Sequence, residues 1–196
     1  MFYVNVPDVT FHTRVESDQA PGFEWKDVKT NELFRGKRVV LFSLPGAFTP
    51  TCSSTHLPGY ELNYKEILQQ DVDEVYCLSV NDSFVMNAWF KSLDIKNVKP
   101  LPDGSGEFSR KMGMLVDKDN LGFGYRSWRY SAVITDNIVE KIFVEPGYGD
   151  NIEADPFLVS DCETMMEYLK DFASQRALRR AEAEARAINT QTTPSG

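Results

Sequence analysis

An α/β domain is the fold class this sequence predicts, and three observations carry that reading. Continuous apolar runs of strand length recur along the chain, segments with helical spacing and good N-caps lie between them, and turns rich in Gly, Pro, Asn or Asp separate the two. The 196 residues are 42% hydrophobic and 12% aromatic, which is enough to bury a sizeable core in one domain.

The elements follow in order. Thr10 to Val15 and Trp25 to Lys29 read as early strands, separated by the turn-prone run from Ser17 to Gly22. Arg38 to Leu44 is almost wholly apolar, as expected of a strand covered on both faces. Pro45-Gly46 ends it, and a helix is predicted from near Thr49 through Leu62, Ile67 and Leu68, bent at Pro58-Gly59. Val72 to Val80 reads as a second buried strand, and Asp82 or Ser83 caps a helix carrying Phe84, Ala88 and Trp89. Two buried strands joined by a helix predict a βαβ unit. Tyr130 to Ile134 and Ile138 to Val144 flank Thr135-Asp136-Asn137, a hairpin signal. Ser160 or Asp161 caps a last helix carrying Met165, Met166, Leu169 and Phe172. Beyond Phe172 the composition changes. Residues 173–196 hold four arginines and two glutamates with few large apolar side chains, and read as a solvated helical tail that frays from Asn189.

Charge and cysteine count narrow the function classes. Against 29 acidic residues stand 21 basic ones, a net charge of −8, which argues against a surface organised to bind nucleic acid. No apolar run reaches the roughly 20 residues that span a bilayer. Met1 to Val15 has no signal-peptide pattern, so the expectation is a soluble, cytoplasmic protein. Cys52, Cys77 and Cys162 are too few and too scattered for a secreted disulfide framework. With His12 and His56 they show no metal-ligand spacing, and no metal is expected.

The chemistry concentrates in Leu44-Pro-Gly-Ala-Phe-Thr-Pro-Thr-Cys52. If Thr49 is the N-cap, Pro50 falls at N1 and Cys52 at N3, in the first turn of a helix that leaves a buried strand at its carboxyl end. Unpaired N–H groups and the positive helix end favour a thiolate there. By spacing alone, a nucleophilic cysteine and an inert buried one are both open.

The run Pro45-Gly-Ala-Phe-Thr49-Pro-Thr-Cys52 followed by Ser-Ser-Thr-His-Leu-Pro-Gly resembles the active-site signature of peroxiredoxins of the type II or type V subgroup. The resemblance continues through Leu78 to Trp89, Trp128-Arg129-Tyr130-Ser131 and Val144-Glu145-Pro146-Gly147, and so covers about residues 2–172. Asp155-Pro156-Phe157 resembles bacterial members that use glutathione and glutaredoxin. The resemblance implies a thioredoxin-like fold, with a central mixed sheet flanked by helices, and reduction of hydrogen peroxide and organic hydroperoxides. It implies Cys52 as the peroxidatic nucleophile, which becomes a sulfenic acid. Thr49 and the Cys52 backbone N–H would hold the peroxide, Arg129 would stabilise the thiolate and polarise the peroxide, and Pro45 would shield the site. No metal or organic cofactor is implied; glutathione would be a co-substrate.

The second thiol of the cycle is left open by the sequence. Cys77 matches the second cysteine of plant-like type II members, but Val75-Tyr-Cys-Leu78 reads as a buried strand, and bridging to Cys52 would need local unwinding. Cys162 reads as a plain helix-start residue, and residues 147–156, where animal type V members carry their resolving cysteine, contain none. The favoured cycle is attack by glutathione followed by glutaredoxin, with thioredoxin as the other reductant. Three other classes compete. A cysteine hydrolase would pair His56 with Cys52 four residues away, a disulfide reductase would need a Cys-x-x-Cys that is absent, and an interaction protein would use the acidic body or the tail. Family resemblance implies a homodimer, with Phe48, Phe84 and Trp89 as candidate contacts.

Overall fold

The computed structural model describes residues 4–17 and 22–191. Strands β1 (Val4–Asn5), β2 (Thr10–Glu16) and β3 (Phe23–Lys29) precede a short helix α1 (Thr30–Phe34). The run from Arg38 forms β4 (Arg38–Ser43), buried at every position because its sheet is covered on both sides. Then come α2 (Leu57–Leu62), α3 (Tyr64–Leu68), β5 (Glu74–Ser79), α4 (Ser83–Ser92), β6 (Lys99–Pro102) and α5 (Glu107–Lys111). β7 (Leu115–Asp117), β8 (Tyr125–Ser127), β9 (Tyr130–Thr135), β10 (Ile138–Val144) and α6 (Cys162–Gln191) complete the described chain.

Six strands form a central mixed sheet in the order β1-β10-β9-β4-β5-β6. The expected β4–β5 unit is parallel, with Phe42 opposite Cys77, while β9 runs antiparallel to β4. Alternation along β4 divides the core. Val40 and Phe42 join a cluster with Cys52, Leu57, Tyr60, Trp89, Met165 and Leu169, whereas Val39 and Leu41 join Phe11, Phe34, Phe108 and Tyr130 on the opposite face. Cys52 therefore sits on the face covered by α2, α4 and α6.

The β9–β10 hairpin turns on Asp136 and Asn137, both at positive φ (48° and 66°), as a two-residue hairpin turn of the favoured twist requires. Asp82 caps α4 by accepting from Val85 N at 3.0 Å, and Asp161 caps α6 by accepting from Thr164 N at 2.9 Å. At the far end of the sheet, Arg38 donates to both carboxylate oxygens of Glu140 (3.0 and 2.7 Å), and Tyr168 of α6 donates to the same group at 2.9 Å. That pairing ties α6 to β4 and β10.

Several elements depart from the sequence reading. β6 is Lys-Pro-Leu-Pro, a composition that excludes a central strand but is compatible with the sheet edge it occupies. The β7–β8 hairpin and α5 are too short to show a period. Trp89, a candidate dimer contact, is fully buried and donates from Nε1 to Ser53 Oγ at 3.0 Å, so it is a core residue. Phe48 and Phe84 are both more than half exposed. The composition change at Phe172 falls inside α6, which continues unbroken to Gln191; of the tail expected to fray from Asn189, residues 192–196 lie outside the described residues.

Candidate active site

The site is built where β4 ends. Leu44 N still bonds to Leu78 O at 3.3 Å, and the chain then turns sharply through buried Pro45 and Gly46. Asn81, just past β5, accepts from Ala47 N at 3.0 Å and pins the turn. Phe48 adopts φ of 63°, a left-handed conformation that costs a non-glycine residue about 1 kcal/mol and marks the turn as held by its surroundings.

Helical structure begins at Pro50, with Ser53 N bonded to Thr49 O at 3.0 Å. Thr49 thus occupies the position expected, but its side chain does not cap the helix. Its hydroxyl donates to Gly46 O at 2.8 Å, inside the turn. The hydroxyl's one proton is committed there, so its lone pairs are what it offers to the pocket. The helix is also not a plain α-helix. Cys52–His56 forms a π turn in which Leu57 N bonds to Cys52 O. Pro58 explains the shift, because it has no N–H for the carbonyl of Ser54 and its ring would clash there in an α-helix.

Cys52 is fully buried, and Arg129, 1% exposed, reaches it from the segment between β8 and β9. Arg129 Nη1 lies 3.5 Å from Cys52 Sγ and 3.1 Å from His56 Nδ1, while Nη2 is ion-paired with Asp155. The Nε–H of Arg129 is buried without a partner. The structure therefore brings Pro45, Thr49, Cys52 and Arg129 to one place, from two separate stretches of chain.

It also places residues there to which the sequence reading gave no part in a peroxidase site. His56, weighed as the base of a cysteine hydrolase, sits against Phe42 and Phe157 and meets Arg129 directly. Its Nε2 lies 3.1 Å from Ser160 O, so Nε2 carries the proton and Nδ1 is the acceptor for Arg129. Burial first, then the Arg129 charge, hold its pKa well below the ordinary histidine value. A histidine whose basic nitrogen is already taken by a guanidinium cannot accept the Cys52 proton, which removes the Cys–His hydrolase arrangement.

Ser160 is held by Glu145. This buried carboxylate accepts from the backbone N–H groups of Leu158, Val159 and Ser160 and from Ser160 Oγ, at 2.7 to 2.9 Å. Asp155 is the half-exposed member of the cluster. Lys118, buried against the Trp128 ring, donates to Ile152 O at 3.4 Å and holds the loop that carries Asp155. A local signal existed for Glu145 and Asp155, since both lie in short blocks next to Pro, but no spacing rule connects either to Cys52.

Cys77 and Cys162 share the core cluster with Cys52. Cys77 lies in the middle of the sheet, between Phe42 of β4 and Pro100 of β6; burial, and then Cys52, push its thiol well above the ordinary value. Burial, with help from Asp161 and Glu66, pushes Cys162 up to about 12. All three are free thiols. Among the described residues no group of three or more His, Cys, Asp or Glu could hold a metal ion, and no helix is long and apolar enough to cross a membrane.

Comparison with known proteins gives the family. Residues 5–156 match the Redoxin family. The chain is 58% identical to Peroxiredoxin sll1621 of Synechocystis sp. over 168 residues, covering 84% of this chain and 89% of that relative. It is 52% identical to the hybrid peroxiredoxin hyPrx5 of Haemophilus influenzae, over 84% of this chain and 64% of the longer relative. Among solved structures, the antioxidant protein of Plasmodium falciparum, described as a 1-Cys peroxiredoxin, superposes with a TM-score of 0.81 at 39% identity, covering 86% of this chain and 98% of that one. The thioredoxin-like expectation for the fold is met. The chain belongs to the peroxiredoxins, of the type II/type V kind, and is a thiol peroxidase.

Proposed function

We propose that Cys52 is the peroxidatic nucleophile and that glutathione, followed by glutaredoxin, recycles it. The observation that carries the first half is the contact of Arg129 Nη1 with Cys52 Sγ at 3.5 Å, between two buried side chains. A guanidinium there favours the thiolate and cannot itself lose its proton. The thiolate attacks one oxygen of ROOH, the S–O bond forms as the O–O bond breaks, and the departing alkoxide takes a proton to leave as alcohol or water. Charge spreads over sulfur and both oxygens in the transition state. The lone pairs of Thr49 Oγ1 accept the peroxide O–H, while the unpartnered Arg129 Nε–H and the Cys52 N–H donate to its oxygens. Pro45 closes the pocket to water.

The burial of the other two thiols supports an external reductant. Cys77 lies buried in the interior strand β5, where a disulfide geometry with Cys52 would require local rearrangement, and burial pushes the Cys162 thiol up to about 12. Glutathione thiolate attacks the Cys52 sulfur and releases water, leaving a mixed disulfide; glutaredoxin or a second glutathione then takes the glutathionyl group. Likeness to a protein described as a 1-Cys peroxiredoxin points the same way. Glutathione acts as a co-substrate, with no metal or organic cofactor, in a cytoplasmic setting. Exposed Phe48 and Phe84 are the contacts of a homodimer.

Intact mass after one equivalent of hydrogen peroxide tests this on wild type, Cys52→Ser and Cys77→Ser. The expected result is one added oxygen in wild type and Cys77→Ser, replaced by one glutathione when that is supplied, and no reaction in Cys52→Ser. Loss of two hydrogens in wild type but not in Cys77→Ser would establish the two-cysteine cycle instead, with thioredoxin as its natural reductant.

A further inference from the structure

Arg126 stands at the centre of β8, three residues before Arg129. Its guanidinium is half-buried and makes two hydrogen bonds, from Nε to Phe123 O at 3.0 Å and from Nη1 to Val80 O at 3.1 Å. Three of its five N–H bonds have no protein acceptor among the described residues, and no carboxylate pairs with it there. Arg38 and Arg129, the other two guanidiniums held inside the fold, each carry a carboxylate partner, Glu140 and Asp155. Burial alone lowers the Arg126 pKa; no neighbouring acidic group offsets it.

The position of this unpaired cation is informative. Nη1 lies 3.4 Å from the point where a Cβ on Gly46 would sit, and Thr49 Cγ2 lies 3.4 Å from the same point. Arg126 therefore flanks the Pro45–Thr49 turn that leads into the helix carrying Cys52. A Cβ on Gly46 would stand in van der Waals contact with the guanidinium, so the two lie side by side. A partly desolvated guanidinium with free N–H groups matches the two-pronged geometry of a carboxylate and gains more from one than a fully hydrated cation would.

We propose that Arg126 recognises a carboxylate of the thiol that reduces the Cys52 sulfenic acid. The proposal rests on the glutathione reading above, and glutathione carries two such carboxylates. The protein itself is acidic, with a net charge of −8, so an anionic thiol needs a local cation to approach the pocket. In the step served, the thiol sulfur attacks the Cys52 sulfur; the S–S bond forms as the S–OH bond breaks, and hydroxide leaves with the thiol's proton as water. Cys52 is reduced and the incoming thiol is oxidised.

The test isolates this half-reaction. Wild type, Arg126→Lys and Arg126→Gln are oxidised with one equivalent of hydrogen peroxide and mixed with 3-mercaptopropionate, 2-mercaptoethanol or glutathione. The rate of mixed-disulfide formation is followed by mass. The ratio of the mercaptopropionate rate to the mercaptoethanol rate, compared between proteins, cancels the intrinsic reactivity of each thiol. The ratio is expected to fall about tenfold in Arg126→Gln and about threefold in Arg126→Lys, which keeps the charge but loses the fork. An unchanged ratio in both variants overturns the proposal. Should Arg126→Gln fail to fold, Arg126→Lys alone decides, on the same threefold fall. If glutathione does not react with wild type but the ratio still falls, the glutathione reading fails and the carboxylate site stands.

Discussion

Arg129 Nη1 bridges Cys52 Sγ and His56 Nδ1, at 3.5 and 3.1 Å, and the second contact decides the protonation state of the histidine. A guanidinium only donates, so Nδ1 must be bare, and Nε2–H then donates to Ser160 O. The arginine is oriented from two sides, by His56 on Nη1 and by Asp155 on Nη2. Arg129, His56 and the Cys52 thiol thus form one buried unit in which the thiol faces the guanidinium.

A pH dependence of stability follows from that histidine. In the unfolded chain His56 takes up a proton near pH 6.5, whereas in the folded protein burial and Arg129 delay this to well below that value. The stabilisation is complete above about pH 6.5 and is lost as pH falls below it, by about 1.4 kcal/mol per pH unit until the native group titrates. Urea unfolding at pH 7.5 and 5.5 should show this loss in wild type and not in His56→Gln. Equal slopes in the two proteins would count against a neutral, buried His56.

Thr49 separates an acceptor role from simple packing. Because its proton is spent on Gly46 O, Thr49→Val loses both the turn's hydrogen bond and the lone pairs proposed to accept the peroxide O–H. The second-order rate constant with hydrogen peroxide is expected to fall by about 10²-fold, as for loss of one pre-placed polar group. Thr49→Ser should keep most of the rate, as measured by stopped-flow tryptophan fluorescence.

Glu145 governs the site without entering it. Its carboxylate accepts three backbone N–H groups and the Ser160 hydroxyl, and so places the carbonyl that His56 and Tyr60 both use. In Glu145→Gln an amide NH₂ replaces one accepting oxygen and leaves buried donors unmet. The cost is about 2–4 kcal/mol, visible as a lower urea midpoint at constant slope.

Cys77 tests the cycle from the stability side. It is fully buried in the central sheet, so Cys77→Ser places an unpartnered hydroxyl among apolar groups and costs about 1–3 kcal/mol. Cys77→Ala costs less. Glutathione-dependent turnover of Cys77→Ala is expected to stay within about twofold of wild type, and a loss of turnover would show that Cys77 takes part in the cycle.

Local pattern accounts for much of what was readable in advance. The buried strands β4, β5 and β9, the caps at Asp82 and Asp161, and the two-residue hairpin turn each follow from a short run of residues whose preferences agree with their place. The edge strand β6 was not readable, because two prolines are tolerated there only on account of its position in the sheet. Likewise the fate of Trp89 depended on which face of α4 meets the core, and no feature of its immediate neighbours states that.

By itself the sequence determined the α/β class, the order of the main strands, and a cysteine at the start of a helix after a buried strand. It also determined, through the Pro45–Cys52 motif and its companion blocks, the family to which the chain belongs. Only the tertiary structure decided that His56 is a neutral acceptor for Arg129, that Asp155 and Glu145 support the site, and that Arg126 stands beside Gly46 with no carboxylate partner among the described residues. The physical reason is range. Strand and cap preferences act over a few residues, whereas Arg129 meets Cys52 across 77 positions and Ser160 meets His56 across 104. Those contacts exist only once the sheet has brought the ends of β4, β5 and β9 together.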